Sequence, residues 1–136
     1  MKQMRESAIL LMFAALWLGT TGAVGHAQNG QTRQVMREKL ELSGILLGGL
    51  VTSNWASLHK TTQSLIGVIN RPGWQVLQSP EYVSQTTAFL NATQALLAAA
   101  DARDQRTALT AYNGLVASCV ECHRYVARSR VAGQRP

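Results

Sequence analysis

Ala108-Leu-Thr-Ala-Tyr112-Asn-Gly-Leu115-Val-Ala-Ser-Cys119-Val-Glu-Cys122-His123-Arg-Tyr-Val126 places an apolar or sulfur-bearing side chain at 108, 112, 115, 119, 122 and 126. The steps run four, three, four, three, four, which is the spacing of one face of an α-helix. Both cysteines fall on that stripe. His123 follows Cys122 and lies one turn beyond Cys119, so it leans to the same side.

Outward from this stretch, the sequence reads as further helices with no strand-like alternation. Asp104 suits the cap of the last helix, after a turn at 101–104. Before it, Ser79-Pro80-Glu81 opens a third helix, with serine as cap, proline at the first position and an acid near the positive end of the dipole. Tyr82, Phe89, Leu90, Leu96 and Leu97 give that helix its apolar face. Arg71-Pro72-Gly73 breaks the chain, and 74–79 is expected as a loop. A second helix over about 55–70 carries the stripe Trp55, Leu58, Thr62, Leu65, Ile69, with Ser53 and Asn54 as candidate caps. A first helix over about 32–50 shows Met36, Leu40, Leu47 and Leu50 on one face, with Leu42, Ile45 and Leu46 beside it. Gly44, Gly48 and Gly49 either weaken this helix or allow close packing. The basic tail from Arg128 is expected to fray. Four helices of similar length on short connections predict an all-α, antiparallel four-helix bundle.

The first 27 residues read differently. Lys2 and Arg5 precede an apolar run at 7–19 that is short for a membrane span, and Gly25-His26-Ala27 offers the small residues of an export cleavage site. The expected division is a signal peptide at 1–27 and a bundle domain at 28–136, placing the mature protein in the periplasm; an uncleaved anchor is the alternative. The cut takes two of thirteen bases and one of seven acids, leaving 109 residues and a formal charge of +5. A modestly basic surface suits an acidic redox partner or an anionic membrane surface. Nucleic acid is a poor fit, because the bases are scattered and lack interleaved aromatics. No integral membrane segment is expected after cleavage.

Two cysteines three apart, followed by histidine, carry the chemistry. A structural disulfide for a small exported domain would close a longer loop. A redox dithiol would sit near a helix start in a strand–helix setting. Structural zinc needs four ligands, and no second Cys/His pair exists. Cys-x-x-Cys-His is the attachment pattern of a c-type haem. Cys119 and Cys122 would take the two vinyl groups as thioethers, and the imidazole of His123 would turn under the iron. One covalently attached haem c is therefore the expected cofactor.

At these residues the chain resembles the class II c-type cytochromes, which include cytochromes c′ and their low-spin relatives. The likeness spans essentially all of the chain after residue 27. The run from Ala98 through Asp104, Tyr112 and Cys119 to His123 is similar to the family's last turn and haem helix. Arg33-Gln-Val-Met36-Arg37 is similar to its first-helix motif, whose methionine is the second axial ligand in low-spin members. The resemblance implies an exported four-helix bundle, ligation of the iron by His123 and Met36, and a haem propionate near Arg33. It also implies redox partner proteins and, commonly, a homodimer through the first two helices. Two departures stand out: Arg103 occupies a position where glycine is frequent, and Arg124-Tyr125-Val126-Ala127 shifts the usual aromatic–arginine pair.

Function turns on the iron's sixth position. A thioether there raises the potential and closes the iron to added ligands, which suits electron transfer. After the cut, Met36 is the only methionine left, because Met1, Met4 and Met12 go with the leader. Met36 can also be read as core filler, and the iron would then be five-coordinate and open to nitric oxide or other small gases. The pattern from Arg33 to Arg37 favours ligation. His59 lies one position off the second helix's stripe and reads as a partly exposed helix residue; His26 leaves with the leader. Trp55, Trp74 and Tyr112 are either pocket walls or ordinary packing. Asn91-Ala-Thr93 matches a glycosylation sequon without meaning inside a helix. The expected activity is single-electron transport, with no bond-making catalysis.

Overall fold

The computed structural model describes residues 21–133, and every regular element among them is helical. Helix α1 spans Thr21–Val51, α2 Trp55–Gly67, α3 Pro80–Asp101 and α4 Gln105–Gly133, with a 3-10 turn, Val68–Asn70, extending α2. Most of the expected leader, 1–20, lies outside the described residues. Helix α1 starts at Thr21 and runs through the expected cut after Ala27, well before the start at 32 that periodicity suggested. The tail does not fray at Arg128: α4 continues to Gly133, and the last three residues lie outside the description. Among the described residues no helix is long and apolar enough to cross a membrane.

Consecutive helices pack side by side, most extensively α3 on α4, while α1 and α4 meet at only a few points. The core is built from Leu46 and Leu50 of α1, Leu58 and Leu65 of α2, Phe89 and Leu96 of α3, and Ala108 and Leu115 of α4. Each large side chain buried here contributes about 1.5–3 kcal/mol of transfer free energy. Two buried threonines carry no unpaired hydroxyl: Thr62 donates to the Leu58 carbonyl and Thr93 to the Phe89 carbonyl, both at 2.7 Å.

The expected face of α1 is rotated in the structure. Leu40 is 74 % exposed and Leu47 48 %, whereas Val35, Lys39, Leu46 and Leu50 are buried. The true stripe passes through a lysine, so a count of apolar residues alone turns the helix towards its leucine-rich side. Of the three glycines, only Gly49 serves close packing: a Cβ there would sit 3.0 Å from Leu58 Cγ, while one at Gly44 or Gly48 would meet nothing.

Both tight connections have the same construction. After α1, Asn54 N–H donates to the Gly49 carbonyl and Ser53 N–H to that of Leu50; after α3, Asp104 N–H donates to Ala99 and Arg103 N–H to Ala100. These are Schellman closures, with Ser53 and Arg103 at the left-handed position, each at φ 52°. The residue after each then caps the next helix. Asn54 accepts from Ser57 N–H at 3.1 Å. Asp104 accepts from the N–H of Arg106 and Thr107 and from the Thr107 hydroxyl. Those bonds, Thr107's first, hold the Asp104 carboxyl below its ordinary range. Arg103 therefore fills a glycine-type position in the backbone as well as by resemblance.

The connection between α2 and α3 is longer and pinned at several points. Gly73 (φ +90°) lies against α1 so closely that a Cβ would come 2.6 Å from backbone atoms of Gln31 and Thr32. Trp74 Nε1 donates to Thr86 Oγ1 at 3.3 Å, and the Tyr82 hydroxyl donates to the Trp74 carbonyl. As expected, Ser79 caps α3 by accepting from Tyr82 N–H, with Pro80 and Glu81 in the first turn.

Candidate functional site

The residues singled out in α1 and α4 meet around one cavity of about 380 Å³, a size typical of small-molecule sites. Arg33, Met36 and Lys39 of α1 line it. The loop and α3 add Trp74, Val76 and Tyr82. From α4 come Cys122, His123, Val126, Ala127 and Arg130. Of the five site residues expected from sequence, Arg33, Met36, Cys122 and His123 thus face a common space. Cys119 stands one turn before Cys122, half-buried on the same helix, and is not part of the lining.

Helical spacing explains the convergence. Residues 36 and 39, three apart on α1, share a face, as do 119, 122, 123 and 126 on α4. Towards the centre of the bundle the α4 stripe is completed by small residues, Ala111 and Ser118, both buried, with Ser118 donating to the Leu115 carbonyl at 2.7 Å. Tyr112 donates its hydroxyl to the Ser43 carbonyl at 3.1 Å and stands beside Cys119, away from the cavity. Trp55 likewise packs against the core, so of the three aromatics considered as walls only Trp74 is one. Past His123, Val126 and Ala127 line the cavity, Tyr125 shares a 2.7 Å hydroxyl contact with Ser79, and Arg124 pairs with Glu121 at 3.1 Å. His59 is half-buried elsewhere, its Nδ1 2.5 Å from an Asp101 carboxylate oxygen.

The chemistry of the lining is donor-rich and acid-free. Both cysteines are free thiols. Burial pushes the Cys122 thiol up, and the positive charge of Lys39 pulls the other way. Burial, then the same lysine, lowers the pKa of His123 below 6.5, so its imidazole is neutral near pH 7 and has a lone pair to give. The Tyr82 hydroxyl is raised by burial and stays protonated. Among the described residues no Asp or Glu lines the cavity, while Arg33, Lys39 and Arg130 all do. Arg33 and Arg130 are exposed at its rim. Among the described residues no group of three or more His, Cys, Asp or Glu gathers as a metal site made of those side chains alone.

Lys39 is the residue that motif reading missed. It is 6 % exposed, and its ammonium lies over two rings, 4.3 Å from the centroid of Phe89 and 4.9 Å from that of Trp74. A signal for it exists: 35, 39, 42, 46 and 49 repeat the four–three spacing of the last helix, with the lysine on the buried seam.

This donor set fits a c-type haem. Two free thiols one turn apart, a neutral imidazole beside them, a thioether on the facing helix and cations without acids match vinyl groups, iron and propionates in turn. Compared with protein-family models, curated proteins and solved structures, the chain finds no match.

Proposed function

We propose that this protein is an exported monohaem c-type cytochrome of the class II type, an antiparallel four-helix bundle that carries single electrons in the periplasm. The observation that carries the reading is the meeting of Met36, Cys122 and His123, from the first and last helices, on one cavity. The antiparallel arrangement is supported by paired positions. Leu50 bonds Gln105 and Ser43 bonds Tyr112, so α1 descends as α4 ascends. His59 near the start of α2 meets Asp101 at the end of α3.

In this reading Cys119 and Cys122 would hold the cofactor through thioethers, and His123 and Met36 would ligate its iron. Haem c, when bound, supplies a one-electron couple at its iron. The chain's own part is to orient and exclude. α4 keeps His123 beside both thiols, the burial-lowered pKa of its imidazole keeps a lone pair available, and Met36 brings the only thioether within the domain at 28–136. Trp74, Val76, Tyr82 and Val126 supply apolar walls that would pack against the macrocycle and limit reorganisation on electron exchange. Arg33 and Arg130 give the rim a positive character suited to docking acidic redox partner proteins.

The test is the spectrum of the purified protein. A low-spin ferric spectrum with the methionine–iron charge-transfer band, and haem that stays attached on denaturation, are expected. Met36→Ala is then expected to convert the protein to a high-spin form that binds carbon monoxide readily. A wild-type protein already high-spin and reactive would replace the electron carrier with the five-coordinate, gas-binding reading, in which Met36 only packs. Haem that washes out under acid denaturation, or no haem at all, would overturn both.

A further inference from the structure

Lys39 is a buried cation on the cavity, and neither the attachment motif nor the proposed iron ligands make use of it. More than nine-tenths of it is buried, and among the described residues its ammonium makes no hydrogen bond and no ion pair. Among the described residues no fully buried side-chain nitrogen or oxygen lacks a partner. The Nζ atom is therefore reached from the cavity that Lys39 lines. The rings of Trp74 and Phe89 offset part of the cost of burying this charge, but they accept none of its three N–H donors in a conventional hydrogen bond. A buried cation without an anion is a net cost to the fold unless something supplies the anion. With no acid on the lining, that anion comes from outside the described chain.

We propose that Lys39 forms the inner half of a carboxylate-binding site in this cavity. Its ligand is a carboxylate on an otherwise apolar molecule, because the neighbouring walls are Trp74, Val76, Tyr82 and Val126. Resting on the haem reading, the carboxylate is a propionate of the cofactor itself. Arg33 and Arg130, exposed at the rim, are placed for a second carboxylate, whereas only Lys39 offers a desolvated donor, where a charge-assisted bond is strongest. A free amphipathic carboxylate would use the same donor. An ordinary core role for the lysine, held by the rings alone, makes the opposite predictions below.

The test uses the full chain with Cys119→Ser and Cys122→Ser, so that haem binds without covalent attachment, and titrates it with protohaem and with protohaem dimethyl ester, which lacks carboxylates. Lys39 is expected to favour the acid over the ester by about tenfold or more, the range of a charge-assisted hydrogen bond. Lys39→Met should cut the preference sharply, leaving only what Arg33 and Arg130 contribute at the rim, and Lys39→Arg should largely keep it. Equal binding of acid and ester by the Lys39 chain, or an unchanged preference in Lys39→Met, overturns the proposal. So does loss of the low-spin spectrum in Lys39→Met of the covalently loaded protein, which would put the lysine on the iron.

Melting curves of the haem-free chain separate this inference from the haem reading. Lys39→Met is expected to melt higher than the parent, since a core thioether replaces an unpaired charge. Sodium octanoate is expected to raise the melting temperature of the parent alone. If neither haem nor its ester binds but octanoate gives that shift, the carboxylate site stands and the haem reading falls. If octanoate also fails, both fall. A Lys39→Met chain that melts lower than its parent favours the ring-held core role and overturns the proposal.

Discussion

The two ends of this molecule are built on opposite principles. At one, the turns joining α1 to α2 and α3 to α4 lie together, tied by a dense set of local hydrogen bonds. Two Schellman closures run into two side-chain caps, Gln105 Nε2 donates to the Leu50 carbonyl at 2.7 Å, and Ser53 bonds the Gln105 side chain at 3.3 Å. At the other, with Lys39 fourteen residues and roughly 21 Å back from Ser53, Arg33, Lys39 and Arg130 face a cavity that no acid among the described residues lines. The difference teaches where stability and function were placed. The closed end holds the helices in register, and the open end leaves donors free for the ligand proposed above.

The comparison can be broken hardest at the open end, through the backbone. Gly73→Ala would put a methyl 2.6 Å from backbone atoms of α1, at a φ that disfavours any side chain. It is expected to cost at least about 2 kcal/mol. Because Trp74 follows directly, it should also distort the cavity. Chemical denaturation and ligand titration of the same variant would show both effects. A variant of unchanged stability would mean that the loop does not rest on α1.

At the closed end the expected losses are smaller and purely structural. Gln105→Ala removes one of the two donors to the Leu50 carbonyl, leaving Ser53 N–H, and should cost up to about 1 kcal/mol, with the spectrum of the proposed haem unchanged. A spectral change would show that the two ends are coupled. The smallest effect has the opposite sign. Arg103→Gly relieves a left-handed residue at an exposed turn. It is expected to raise stability by up to about 1 kcal/mol, measured as a higher denaturation midpoint, because glycine adopts that conformation without a steric cost.

How much of this was legible in the sequence differs by region for physical reasons. Caps and turns could be read almost residue by residue at both ends, because they are local chemistry: Asn54 and Asp104 at the closed end, and Ser79 and Pro80 at the other, sit where they were expected. The last helix was also read correctly in phase, although Ala111 and Ser118, too small to signal burial, complete its inner face. Helix α1 was misread, since Lys39 occupies a buried seam position while Leu40, Ile45 and Leu47 point outward, and tertiary packing alone decides between them. The motif found Cys122 and His123, and the resemblance found Arg33 and Met36. Lys39 belongs to no motif; the four–three spacing through 35, 39, 42, 46 and 49 marks its seam, but a lysine there reads as burial only once Trp74 of the loop and Phe89 of α3 are brought against it.

The sparse contact between α1 and α4 has a consequence for how the cavity can be filled. Its loop wall is riveted: Gly73 rests on α1, Trp74 is bonded to Tyr82 and Thr86, and Ser79 to Tyr125. The wall that can yield is the thin seam between the first and last helices. A flat guest wider than the resting space would wedge that seam apart, swinging the cavity end of α1 outward about the tight turn near Ser53 while α3 and α4 stay clasped. The pocket is then less a mould of fixed capacity than a hinged clip, with its spring at the opposite end of the molecule.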